Sequence, residues 1–158
     1  MIKKRTYRAV EVESFEVGAL LGSLSVGTEV VVGLDVAKRK FVAVLASGAG
    51  EPFEIIRFEH PVNTFGFLDV LTRIRDAGLR VVVVMEPTGT YGDSIRHQLA
   101  LRSIPVRRVS TKHVSDCAEL YDRVPSKHDA KDACVIAWLH STGRSTACLL
   151  YTSDAADE

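Results

Sequence analysis

Four carboxylates stand where carboxylates are costly. Asp129 and Asp132 are three residues apart and Ile136 follows four later, so on a helix all three share one face. Asp35 closes the apolar run Val30-Val31-Val32-Gly33-Leu34, and Glu86 closes Val81-Val82-Val83-Val84-Met85. Charges brought to the edge of a core normally need a cation. If all four arrive at one place, hard oxygen donors of that kind suit Mg²⁺ or Mn²⁺ rather than zinc. Two such ions about 3.5–4 Å apart clamp the attacking and leaving oxygens of a phosphodiester displacement. Taken singly, each acid also fits a plainer role: Asp35 and Glu86 as turn residues, Asp129 as a helix N-cap, Asp132 as a first-turn partner of the helix dipole.

Convergence depends on the elements that carry these acids. Residues 30–35 read as a strand buried on both faces, and Phe41 to Ala46 and Phe53 to Phe58 as two more. The short polar turns between them, Lys38-Arg39-Lys40 and Gly48-Ala49-Gly50, predict an antiparallel meander. From Pro61 to Ala77 the period changes, with Phe65, Leu68, Leu71 and Ile74 on a helix face and Gly78 as its C-cap. Val81 to Met85 is a central strand, and a helix follows from about Tyr91 to Leu101. Ile104 to Val109 is a shorter strand whose Pro105 suits a sheet edge. Helices near Val114 to Tyr121 and from Asp129 to His140 complete the series. The order β-β-β-α-β-α-β-α-α predicts an α/β fold: a mixed five-stranded sheet with helices on both faces. Parallel neighbours at its centre would set Asp35 and Glu86 about 5 Å apart.

Composition narrows the remaining possibilities. The chain has 158 residues, enough for one core, with 46% apolar and 25% charged residues and no formal net charge. Cys117, Cys134 and Cys148 form no CxxC pair, and an odd number argues against a disulfide framework, so a reduced cytoplasmic setting is expected. Glu11, Glu13 and Glu16 interrupt anything like a signal peptide, and no run approaches the roughly 18 apolar residues of a membrane span. His60, His97, His113 and His140 are scattered and make no ligand pattern.

The two ends stand apart from the expected domain at 29–147. Residues 1–28 read as an N-terminal extension, either a short strand with a linker or a segment that never packs. Residues 148–158, Cys-Leu-Leu-Tyr-Thr-Ser-Asp-Ala-Ala-Asp-Glu, resemble the translated end of a sequencing-library adapter, which would make them non-native and the natural chain longer. Without them 20 basic side chains face 17 acidic ones, a formal charge of +3, mildly suited to a polyanion.

Three blocks carry a family resemblance. Val32-Gly33-Leu34-Asp35-Val36-Ala37-Lys38, Met85-Glu86-Pro87-Thr88-Gly89-Thr90-Tyr91 and Lys127-His128-Asp129-Ala130-Lys131-Asp132-Ala133-Cys134-Val135-Ile136-Ala137 resemble, in order and spacing, the signature blocks of DEDD-type insertion-sequence transposases. That family is similar to the RuvC resolvases. The resemblance implies a ribonuclease-H-like catalytic domain in which Asp35, Glu86, Asp129 and Asp132 are the catalytic acids and hold two Mg²⁺ or Mn²⁺ ions. It implies prokaryotic DNA transposition with DNA as substrate, a structured guide RNA as partner, and homo-oligomers of the full-length protein. It also implies a C-terminal domain with a serine used in strand exchange, which this sequence does not contain. His128 replaces a small polar residue commoner in the family.

Lys38, Lys40, Thr88, Tyr91, Arg108, Lys112 and Lys127 are the candidate nucleic-acid contacts, with Tyr91 better suited to the core than to base stacking. Two other readings compete. A truncated remnant would bind nucleic acid or itself but cut nothing. An actin-like ATPase or kinase would also open with an acid on its first strand, but Val36-Ala37-Lys38-Arg39-Lys40 lacks the glycine-rich phosphate loop it needs.

Overall fold

The computed structural model describes residues 7–87, 90–122 and 129–147. Its strands are β1 (Val10–Glu11), β2 (Glu29–Asp35), β3 (Lys40–Ser47), β4 (Pro52–Glu59), β5 (Arg80–Met85), β6 (Val106–Val109) and β7 (Ser145–Ala147). Its helices are α1 (Val17–Gly22), α2 (Thr64–Asp76), α3 (Asp93–Leu101), α4 (Thr111–Asp122) and α5 (Asp129–Ser141), with a 3₁₀ turn at Val12–Ser14.

The strands form one mixed sheet in the order β1-β4-β3-β2-β5-β6-β7. β2, β3 and β4 are the antiparallel meander read from the short turns, and β2 runs parallel to β5, in register from Glu29↔Arg80 to Leu34↔Met85. The expected five strands are therefore seven. β1 pairs with β4 at Val10↔Ile56 and Glu11↔Arg57, and β7 pairs antiparallel with β6. β1 matches the short strand offered as one reading of residues 1–28, whereas the three residues of β7 are too few to display an alternating pattern. β7 also corrects the expectation for β6, which is not an edge strand. Pro105 precedes β6, where its missing N–H is not needed and its carbonyl still accepts the Val83 N–H at 3.0 Å.

Side chains of β2 and β5 alternate between two cores. Val30, Val32, Leu34, Val81, Val83 and Met85 face α1, α2 and α3, packing with Phe67, Leu71, Ile74, Ile95 and Leu99. Val31, Val82 and Val84 face α4 and α5, with Val114, Cys134, Val135 and Ile136. Before β2, Val12 and Val17 are buried in the first core, whereas Tyr7 and Ala9 pack against the second. Among the described residues, no helix is long and apolar enough to cross a membrane.

Candidate metal-binding acid cluster

Period-two alternation decides which face Asp35 occupies. Val31 and Gly33 lie on the α4/α5 side of β2, so Asp35, two residues on, emerges on that side at the strand's C-terminal end. Val82 and Val84 give Glu86 the same facing just beyond β5. Because Leu34 pairs with Met85 in parallel register, the next residues, Asp35 and Glu86, leave the sheet side by side.

The remaining acids come from α5. Asp129 is its first residue and is exposed, whereas Asp132 is 8% exposed. At the N-terminus of the helix both carboxylates meet the positive end of the dipole, which offsets part of the cost of gathering them. One oxygen each of Asp35, Asp129 and Asp132 lie within 4.8 Å of one another. Burial, the charges of Asp129, Asp132 and Glu86, and a hydrogen bond with Asp129 push the Asp35 pKa up to about 8. Every one of those influences acts against its ionised form. The donor set is thus all carboxylate and negatively overcharged, as a site for a hard divalent cation requires. Asp35, Asp129 and Asp132 make the tight group; Glu86 reaches Asp35 electrostatically and flanks it.

α5 differs from the one-sided helix expected from the sequence. It is buried all round from Ala130 to Ala137, and Lys131 is completely enclosed. What lets it lie so low is Gly33. A Cβ built there would overlap the carbonyl oxygen of Ala133 and stand 2.9 Å from the Ala137 amide nitrogen. At the other end of the helix a Cβ on Gly50 would come within 2.9 Å of Ser141 Oγ and 3.2 Å of Trp138 Cα. Sequence reasoning gave Gly33 no role; its only signal was a glycine interrupting a buried strand, the mark of a close backbone approach.

Reading the sequence also passed over Lys131, Asp122 and Tyr7. Lys131 Nζ sits 2.8 Å from Asp122 Oδ1, with the two side chains 0% and 5% exposed, and the Tyr7 hydroxyl donates to Asp122 Oδ2 at 2.5 Å. A lysine inside an otherwise apolar helix was the available clue.

Of the candidate nucleic-acid contacts, Lys38, Lys40, Arg108 and Lys112 are exposed, and Thr88 and Lys127 lie outside the described residues. Arg108 pairs with Met85, so it stands two strands from Leu34 at the level where Asp35 and Glu86 leave the sheet. Lys112 pairs with Asp116 at 3.1 Å. Tyr91 is 49% exposed, which overturns the expectation that it belongs to the core. It sits in the short turn before α3, outside the sheet-helix contacts that would cover it.

A family model described as a transposase, DEDD_Tnp_IS110, matches residues 32–157, a span that includes all four acids and runs on through the stretch read as adapter-derived. No curated protein matches the chain. Similar solved structures include Thermus thermophilus RuvC, at 13% identity with a TM-score of 0.51 over 75% of this chain and 99% of that one. The T. thermophilus RuvC in complex with Holliday junction substrate is similar at 14% identity, with a TM-score of 0.56 over 76% of this chain and 99% of that one. The shared fold is the ribonuclease-H-like one.

Proposed function

The chain belongs to the DEDD_Tnp_IS110 transposase family, and from that premise we propose that Asp35, Glu86, Asp129 and Asp132 are the catalytic acids of a metal-dependent, DNA-cleaving transposase domain. The observation that carries this reading is the approach of the Asp35, Asp129 and Asp132 oxygens to within 4.8 Å, with the Asp35 pKa pushed up to about 8 by burial and then by its acidic neighbours. Structural carboxylates are rarely gathered in this way without a cation to compensate them.

In this reading Asp35 and Glu86 supply ligands from the ends of two rigid parallel strands, while Asp129 and Asp132 supply them from the first turn of α5. When bound, Mg²⁺ or Mn²⁺ supplies Lewis-acid activation of a phosphodiester and stabilises charge on the attacking and leaving oxygens. Asp35, its pKa pushed up to about 8 by burial and by the acids beside it, would give up its proton in holding the cation. The strand ends hold their carboxylates to within the small tolerance that in-line displacement needs, which is the value of mounting them on a sheet rather than on loops. The same acids would serve cleavage and the later strand transfer of an insertion sequence, since both are phosphodiester displacements.

DNA is the proposed substrate. A similar fold bound to a Holliday junction supports it, as do the exposed Lys38, Lys40, Arg108 and Lys112 around the same sheet edge, which would position a phosphate backbone without reading its sequence. Thr88 and Lys127 extend that set by their place in the sequence, and a structured guide RNA as second ligand rests on the family resemblance.

Thermal unfolding with Mn²⁺ titrated, with and without ATP, tests the site. A rise in midpoint that ATP does not alter, and that Asp35→Asn and Asp132→Asn abolish, is expected, because only ligands that bind the folded state raise it. A folded protein that ignores Mn²⁺, or responds only with ATP present, overturns the reading.

A further inference from the structure

We propose that Lys131, Asp122 and Tyr7 are positioning residues: a buried polar clamp that fixes the height and rotation of α5, and so the placement of Asp129 and Asp132 over Asp35. The consequence for cation affinity rests on the proposed metal site; the clamp itself does not.

Three observations lead here. First, α5 is apolar almost all round, with Ala130, Ala133, Cys134, Val135, Ile136, Ala137 and Leu139 buried. Apolar contact is non-directional, so beyond its close seats on Gly33 and Gly50 such a helix has little in its packing to fix a small roll. Yet one residue of slip moves a helical side chain about 1.5 Å along the axis and about 100° around it, enough to scatter a ligand cluster. Second, the one fully enclosed cation on this helix lies between the two acids in sequence, and its ammonium meets Asp122 on α4. Third, the two oxygens of Asp122 are divided: Oδ1 takes the Lys131 ammonium at 2.8 Å, and Oδ2 takes the Tyr7 hydroxyl at 2.5 Å. Tyr7 precedes β1 and belongs to the segment that runs onto the β4 edge. The clamp therefore ties α5 to α4 and to the chain's N-terminal segment, making residues far from the acids part of what aims them.

A buried ion pair is a poor source of net stability, because desolvation offsets most of the attraction, but it is directional. That separates a positioning role from a structural one. Replacing both charges with apolar side chains, Lys131→Met with Asp122→Leu, should preserve folding while removing the direction. Tyr7→Phe removes only the hydroxyl.

The test uses the full chain, metal-free and then titrated with Mn²⁺ alone. It follows the unfolding midpoint, the Mn²⁺ dissociation constant by electron paramagnetic resonance, and the rate at which the buried Cys134 thiol of α5 reacts with a small thiol reagent, resolved by peptide mass. For the double variant a near-parental midpoint is expected, with Mn²⁺ affinity lowered about 10–100-fold, the usual cost of losing an outer-shell support. Cys134 should label faster, and Tyr7→Phe should move both readouts the same way by less. Folded variants that bind Mn²⁺ as tightly as the parent overturn the proposal. If the parent itself ignores Mn²⁺, the metal reading fails separately and Cys134 decides: faster labelling upholds the clamp, unchanged labelling overturns it. If the double variant does not fold, Tyr7→Phe decides on the same two readouts.

Discussion

Gly33 lies beneath Ala133 so closely that a single added carbon would overlap the Ala133 carbonyl oxygen. The atoms in the way are backbone, which cannot swing aside as a side chain does. Gly33→Ala should lift α5 from β2 and cost about 1–3 kcal/mol, the range of an overpacked core. Urea unfolding measures the loss. The same lift should weaken any response to Mn²⁺, because Asp129 and Asp132 ride on the displaced helix; a variant with parental stability would show that the helix can shift without penalty.

Metal-free stability should fall as pH rises through the acid cluster's range. Asp35 has its folded pKa raised from 3.8 to about 8 by burial and by Asp129, Asp132 and Glu86. Between those values the folded state holds a proton that the unfolded chain has released, so the contribution is complete below about 3.8 and is lost as pH climbs through about 8. Unfolding midpoints from pH 4 to 9 in a chelator should show this slope, and Asp35→Asn should flatten it. Excess Mg²⁺ should oppose it, since the ionised site is the form that binds.

Neutralising an acid should separate stability from activity. Asp132→Asn removes one of several like charges, so the chelated variant should unfold no earlier than the parent. Nicking of a branched DNA substrate should fall by roughly two orders of magnitude or more, the scale of losing one preorganised electrostatic group. Equal losses of folding and nicking would instead mark Asp132 as a structural residue.

Ser145 opens β7 and pairs with Val109 of β6. Arg107 donates from Nε to Ser145 Oγ and from Nη2 to the Ser145 carbonyl, each at 2.7 Å, and His140 Nδ1 is 2.8 Å from the same Oγ. Ser145→Ala strips partners from both neighbours and should cost about 1–3 kcal/mol. Burial first, and Arg107 next, hold the His140 pKa below 6.5 against the opposing pull of Glu29. Its contribution is therefore present above pH 6.5 and lost as pH falls through the lowered folded value. A His140→Gln variant should lose that acid-side decline.

Removing the N-terminal segment should not be neutral. Val12 and Val17 are 6% and 3% exposed in the α1/α2/α3 core. Deletion of residues 1–26 should cost several kcal/mol, since burying one such side chain stabilises by about 1.5–3 kcal/mol. Chemical denaturation of the shortened chain checks this, and an unchanged midpoint would show the core closes without the segment.

Much of this protein could be read from local pattern. The valine runs around Val31 and Val83 declared strands buried on both faces, the short polar turns declared an antiparallel meander, and the spacing of Phe65, Leu68, Leu71 and Ile74 declared α2. In the structure α2 buries Leu68, Leu71 and Ile74 but leaves Phe65 63% exposed, with Arg102 over its ring. β7 escaped because its pairing partner, not its own three residues, makes it a strand. Tyr91 was misplaced because its exposure depends on what fails to cover it.

The sequence by itself determined which residues carry charge and on which elements: Asp35 after β2, Glu86 after β5, Asp129 and Asp132 opening α5. Those follow from periodicity and propensity, which act over a few residues. Only the tertiary structure decided that the oxygens of Asp35, Asp129 and Asp132 meet within 4.8 Å. That distance goes with the gap where Gly33 has no side chain and, in the clamp proposed above, with Lys131 finding Asp122. Both are contacts between segments far apart in the chain, whose formation depends on shape and buried charge in three dimensions and leaves no local pattern to read.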